Sequence, residues 1–110
     1  MSKIFTLKEL ITKAQQQEVK AMEELFQQFT PLLKSRAKRY AQAGLEYEEV
    51  FQEASLLFIQ AVYDYEERGN IPFAGYLKKR IDWGLWGYYR KYLKHKREVP
   101  SGLQPKNPEQ

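Results

Sequence analysis

Cysteine is absent from the 110 residues, so neither disulfides nor thiolate-bound metals contribute to this chain. Histidine occurs once, at His95, which is too little for a catalytic triad or a histidine-built metal site. No apolar run approaches the roughly 18–20 residues a membrane span requires. The N-terminal stretch MSKIFTLKELITK lacks the apolar core of a secretion signal. Glycine is sparse, and Gly75, Gly84 and Gly87 do not form a phosphate-loop pattern. The carboxylates are strung along one segment rather than paired as an acid and a base. Together these absences predict a cytoplasmic protein that is not an enzyme and holds no metal or cofactor.

What is present is a charge asymmetry. The net charge of +4 conceals an acidic middle and a basic end. Between Tyr40 and Glu67 there is no Lys or Arg, while seven carboxylates occur: Glu46, Glu48, Glu49, Glu53, Asp64, Glu66 and Glu67. Residues 71–110 carry nine Lys/Arg against three Asp/Glu. Two surfaces with different partners are expected.

Hydrophobic periodicity is helical throughout and no period-2 strand stands out. Thr6-Leu7-Lys8-Glu9 reads as a capping box, followed by Leu7, Leu10, Ile11 and Ala14 on one face. A second helix carries Ala21, Met22, Leu25, Phe26 and Phe29. At Thr30-Pro31 it breaks or kinks, or a new helix starts with Thr30 as cap. Leu32, Leu33, Arg36, Ala37 and Tyr40 continue to Ala43-Gly44, where glycine suits a helix end. Residues 46–65 form the next helix, with Val50, Ala54, Leu57, Phe58, Ala61 and Tyr65 inward. A turn at 66–72 precedes a last helix from Phe73 towards Arg97. The expected fold is all-α, a small bundle of four or five helices over residues 1–97. Residues 98–110, rich in proline, read as a disordered tail or linker.

The last helix, YLKKRIDWGLWGYYRKYLKHKR over 76–97, sets two Trp and four Tyr among eight Lys and Arg. At about 100° per residue, Leu77, Ile81, Leu85, Tyr88 and Tyr92 form a core stripe. Tyr76, Lys79, Trp83, Trp86, Arg90, Lys94 and Arg97 lie opposite. Cations neutralise phosphates and rings stack on unpaired bases, so this face suits single-stranded or opened nucleic acid. Tryptophan is nonetheless commonly core, and basic aromatic helices also lie on anionic membranes. The alternation of ring and charge, without a clean apolar side, favours nucleic acid. Gly84 and Gly87 fall between the two faces, where they allow close approach of another helix. Asp82 either discriminates among ligands or pairs with Lys78.

The order of three motifs is distinctive. EVFQEA (49–54), AVYDYEERG (61–69) and IPFAGY (71–76), preceded by LITKAQQ (10–16), AMEELF (21–26) and LLKSRAKRY (32–40), resemble region 2 of the bacterial sigma-70 family. The resemblance spans roughly residues 7–97. It implies docking on a coiled coil of the largest RNA polymerase core subunit, with Glu49, Gln52 and Glu53 in contact and Ser55 and Ile59 on the same surface. It also implies capture of the non-template strand of the −10 promoter element. In that family a base flips into an aromatic-lined pocket, and Tyr65, Glu66 and Tyr76 match positions near it, with Phe73 beside it.

Three departures qualify the expectation. Glu49 stands where the family often has Asp. Lys79-Arg80 stands where primary sigma factors have a Trp pair, and Trp83 and Trp86 follow a turn later. No helix-turn-helix pattern follows His95-Lys96-Arg97, so a separate region-4-bearing subunit is expected to read the −35 element. The resulting expectation is one half of a split sigma factor, with Lys79, Arg80, Trp83, Trp86, Arg90 and Lys94 on the DNA. Two alternatives are a regulatory module of a mobile element, which binds a partner or polymerase without melting promoters, and a fragment of a longer sigma factor.

Overall fold

The computed structural model describes residues 5–67 and 71–97. Four helices follow in order: α1 (Leu7–Gln15), α2 (Val19–Gln42), α3 (Tyr47–Asp64) and α4 (Phe73–Arg97). No strand occurs among the described residues. The proline-rich segment from 98 onwards lies outside them, as does the middle of the expected turn at 66–72.

The capping box opens α1 as its spacing requires: the Thr6 amide donates to Glu9 Oε1 at 2.9 Å and the Glu9 amide to Thr6 Oγ1 at 3.1 Å. At the other end the Gln17 amide bonds the Ala14 carbonyl and the Glu18 amide the Lys13 carbonyl. This is a Schellman motif, and it places Gln17 at φ 69°, the left-handed region that non-glycine residues seldom occupy. The same motif closes α2. Gly44 sits at φ 109°, its amide on Ala41 and that of Leu45 on Tyr40. Leu45 is buried beneath the turn.

Of the two outcomes open at Thr30-Pro31, neither a break nor a new start occurs: α2 runs through it. Pro31 leaves the Gln27 carbonyl without a helical donor, but Gln27 is exposed to water. Thr30 Oγ1 donates to the Phe26 carbonyl at 2.6 Å. Leu25 and Leu33, on either side, are fully buried. Each such side chain contributes about 1.5–3 kcal/mol, which together offsets a proline cost of about 3 kcal/mol.

The core is continuous. Leu10, Ile11 and Ala14 of α1 meet Ala21, Leu25, Leu33 and Ala37 of α2, and Val50, Ala54, Phe58, Ala61 and Val62 of α3. Phe73, Leu77, Ile81 and Leu85 of α4 complete it. α3 is the central element, packed on α2 along one side and on α4 along the other, whereas α2 and α4 touch only briefly. Leu57, expected inward, is half-buried because it lies at the α3–α4 seam instead of under it.

Gly84 and Gly87, both expected to allow close helix approach, differ. A Cβ at Gly84 would stand 2.5 Å from both Leu57 methyls, whereas one at Gly87 would meet nothing within 4 Å. Only Gly84 is needed for close helix approach. Gly87→Ala is therefore expected to raise stability by about 0.5–1 kcal/mol through helix propensity, and Gly84→Ala to lower it. Thermal unfolding of the two variants checks the contrast.

Candidate nucleic-acid and partner-docking surfaces

α4 carries its charge on the side away from the core. With Leu77, Ile81 and Leu85 sealed, the helix turns Trp83 and Trp86 outwards at 72% and 49% exposure. Lys79, Arg90 and Lys94 are exposed on the same side. Trp86 does not stand alone: its ring lies 5.9 Å from Tyr89, which packs on Tyr40 of α2 at 5.3 Å and on Tyr92 at 6.3 Å. Tyr92 in turn donates its hydroxyl to the Gly44 carbonyl at 3.1 Å. Burial first, then the Asp82 carboxylate, raises the Tyr40 phenol above its ordinary pKa.

The remaining residues expected at the nucleic-acid face are placed differently. Phe73 is buried, with Phe29, Tyr65 and Tyr76 around it. It supports the neighbouring rings from beneath. Tyr76, expected on the outer face, is half-buried between Tyr65 at 5.2 Å and Phe73. Tyr65, just past the end of α3, packs against it, and Arg80 one turn on donates to its hydroxyl. Tyr65 is half-buried just beyond α3 and donates to the Ile71 carbonyl at 2.6 Å. Glu66 is exposed beside it.

Arg80 is held within the fold. Its guanidinium donates to Asp64 Oδ2 at 3.1 Å and to the Tyr76 hydroxyl at 2.8 Å, and lies over the Tyr76 ring. Burial alone would lower its pKa, but the bonds to Asp64 and Tyr76 outweigh that and raise it. Asp82, expected either to discriminate among ligands or to pair with Lys78 on its own helix, receives Arg36 of α2, Nε to Oδ1 at 2.7 Å. The acid within the basic face is thereby neutralised from the neighbouring helix.

The second surface is the outer side of α3. Glu49 and Gln52 are exposed in its first turns, and Ile59 is exposed further along at 37%. Ser55 is half-buried and its hydroxyl is turned back onto the Phe51 carbonyl at 2.8 Å. Glu53 is half-buried towards α4. There burial, followed by the Glu49 and Glu53 carboxylates, raises the Tyr88 phenol above its ordinary pKa. Leu56 and Tyr63, at 55% and 45% exposure, extend this face with apolar surface that the motif reading passed over. Their exposure was legible from the helical wheel, since both lie opposite Val50 and Ala54.

At the far end of α3 lies a feature with no counterpart in the sequence reading. Gln15, the last residue of α1, donates from Nε2 to the Val62 carbonyl at 2.8 Å and the Tyr65 carbonyl at 2.9 Å. It caps the C-terminus of α3 across 47 residues of chain. An open cleft of about 380 Å³ adjoins it, between α1 and the α3–α4 connection, lined by Leu7, Lys8, Ile11, Thr12, Gln15, Tyr65, Glu67, Pro72 and Phe73. No helix among the described residues is long and apolar enough to cross a membrane.

Two consequences are measurable. Arg36 has a side chain only 13% exposed while that of Asp82 is 45% exposed. Asp82→Ala therefore strands a nearly buried cation, whereas Arg36→Met leaves a carboxylate that water can reach and keeps the apolar stem. Urea unfolding should show the larger loss, about 1–3 kcal/mol, for Asp82→Ala. Tyr40 and Tyr88, with folded pKa values raised above those of the unfolded chain, keep protons that the unfolded chain gives up first. Their contribution is complete below the unfolded tyrosine value of about 10 and declines as pH rises beyond it. Tyr88→Phe should flatten that alkaline decline in a pH series of denaturation midpoints.

Residues 25–97, about two thirds of the chain, match the family Sigma-70 region 2. Neither the curated proteins nor the solved structures contain a match.

Proposed function

The chain belongs to the sigma-70 region 2 family, and from that premise we propose that it is one half of a split sigma factor. Membership gives it a sigma-type role in transcription, in a family of non-enzymatic domains whose partners are RNA polymerase core and promoter DNA. In the proposed division of labour, α3 docks on a coiled coil of the largest polymerase subunit through Glu49, Gln52, Glu53 and Ile59. α4 then holds the non-template strand of the −10 element. A second subunit bearing region 4 reads the −35 element.

The mechanism is binding energy alone. Lys79, Arg90 and Lys94 neutralise phosphates, and Trp83 and Trp86 offer ring faces to unstacked bases at about 1–3 kcal/mol each. Arg80 keeps Tyr76 and the α3 terminus in register, and Phe73 supports the same cluster from below. Duplex opening costs a few kcal/mol per base, so docking must come first to place α4 along the strand. The observation that carries this reading is the outward exposure of both tryptophans among cations, on a helix separate from the acidic face.

Glu49→Lys should weaken capture by polymerase core about tenfold or more and leave single-stranded DNA binding intact. Trp83→Ala with Trp86→Ala should do the reverse, and strand binding by the wild type should fall steeply with salt. Pull-down with core polymerase and fluorescence anisotropy on single-stranded −10 DNA measure the two separately. Loss of both activities in each variant would contradict the division into two surfaces.

A further inference from the structure

We propose that the protein associates with itself, the exposed tryptophans of α4 in one copy seating in an acid-rimmed apolar groove between α2 and α3 of the next. The contact follows from exposure and charge alone. That it holds the protein inactive rests on the reading of the two surfaces given above.

The groove has a volume of about 780 Å³, within the roughly 300–1,000 Å³ of sites that enclose a drug-sized ligand. Val19, Met22 and Phe26 of α2 line one side of it, and Ile59 and Tyr63 of α3 the other. Val19 is 68% exposed, and Ile59 and Tyr63 are exposed as well, so apolar surface is left facing water. Glu18 and Glu23 border it. Glu18 holds Lys13 at 3.7 Å, while Glu23 forms no ion pair among the described residues. The α3 wall contributes no cation, since no Lys or Arg occurs between Tyr40 and Glu67.

The complement of this groove is carried by the same chain. Trp83 and Trp86 stand in solvent, with Lys79 one turn before the first and Arg90 one turn after the second, both exposed. Apolar rings flanked by cations match an apolar floor edged by carboxylates. Within one molecule the two cannot meet, because burial of Leu77, Ile81 and Leu85 turns the rings away from the bundle. Two indoles bury about 300–500 Å² on each partner, short of the roughly 800 Å² per partner of stable complexes. The contact is therefore weak and reversible. It joins two different patches, so it is heterologous: each copy in a pair still offers one free groove and one free set of rings.

A single contact of this kind covers both functional surfaces. Ile59 lies in the groove and on the α3 docking face, and the tryptophans are the strand-binding rings. Polymerase core or an opened strand must displace the neighbouring copy, which keeps the unengaged protein from binding stray single strands.

Sedimentation equilibrium of the full chain tests this at low salt, from a few micromolar to about a millimolar. The average mass of the wild type should climb above that of the monomer with concentration and fall back as salt is added. A groove variant, Val19→Lys with Glu23→Lys, alters only exposed positions and should weaken association about tenfold or more. A ring variant, Trp83→Ala with Trp86→Ala, should do the same. Mixed in equal amounts, the two should recover association and stop at the mass of a dimer, because only one intact groove and one intact set of rings meet. A monomeric wild type at about a millimolar, a groove variant that assembles like the wild type, or variants that stay apart when mixed each overturn the proposal. Adding a strand of ten thymidines should return the wild type to single copies. Association that persists because no strand binds leaves the self-contact standing and removes the α4 strand reading and the inactivity drawn from it.

Discussion

The seam between α3 and α4 is the contact on which the rest of the molecule depends. Both candidate surfaces are mounted on these two helices, and their relative position is set where Leu57 meets the bare backbone at Gly84. A side chain at Gly84 would displace the Leu57 methyls, and the Asp64–Arg80 pair and the contact of Tyr88 with the Glu49–Glu53 side lie on the same seam. Burial of Leu77, Ile81 and Leu85 along it forces the opposite side of α4 into solvent. The exposure of the tryptophans is thus a consequence of how the helix is seated. A helix needs a stripe of apolar residues to dock, and what remains is free for charge and rings.

That docking also explains how one small bundle keeps opposite charges apart. The acidic run on α3 and the basic run on α4 lie on adjoining helices, close enough for attraction to blur them. Where they meet, Asp64 pairs with Arg80, and on the other edge of α4 the one acid of the helix, Asp82, pairs with Arg36 of α2. Among the charges outside these pairs, Glu49 on one side and the cations of Lys79, Arg90 and Lys94 on the other are exposed. Arg36, Asp82 and Arg80 are half-buried and Asp64 is exposed, so the pairs contribute geometry more than net stability.

Much of this was readable before any coordinates. The capping box at Thr6, the glycine end at Gly44, the core stripes of α3 and α4 and the outward tryptophans all follow from short-range periodicity, which sequence states directly. What eluded it depends on contacts between distant segments. Arg36 reaching Asp82 and Gln15 capping α3 join residues 46 and 47 apart, and no local pattern distinguishes these side chains from other polar ones. The half-burial of Tyr76 escaped the wheel, which knows only the helix it is drawn on and not Tyr65, packed against it from beyond the end of α3. Continuity through Pro31 was left open because local propensity opposes it, by about 3 kcal/mol, and only the burial of Leu25 and Leu33 on either side outweighs that.

α4 is 25 residues long, about 37 Å at 1.5 Å per residue, yet its firm anchorage ends near Leu85. Beyond that point half-buried tyrosines hold it: Tyr88 against the Glu49–Glu53 side of α3, Tyr89 on Tyr40, and Tyr92 on the Gly44 carbonyl. Lys96 lies twelve residues beyond Gly84, roughly 18 Å along the helix, so the cationic end of α4 projects past the last fully buried side chain and rests on rings at the surface.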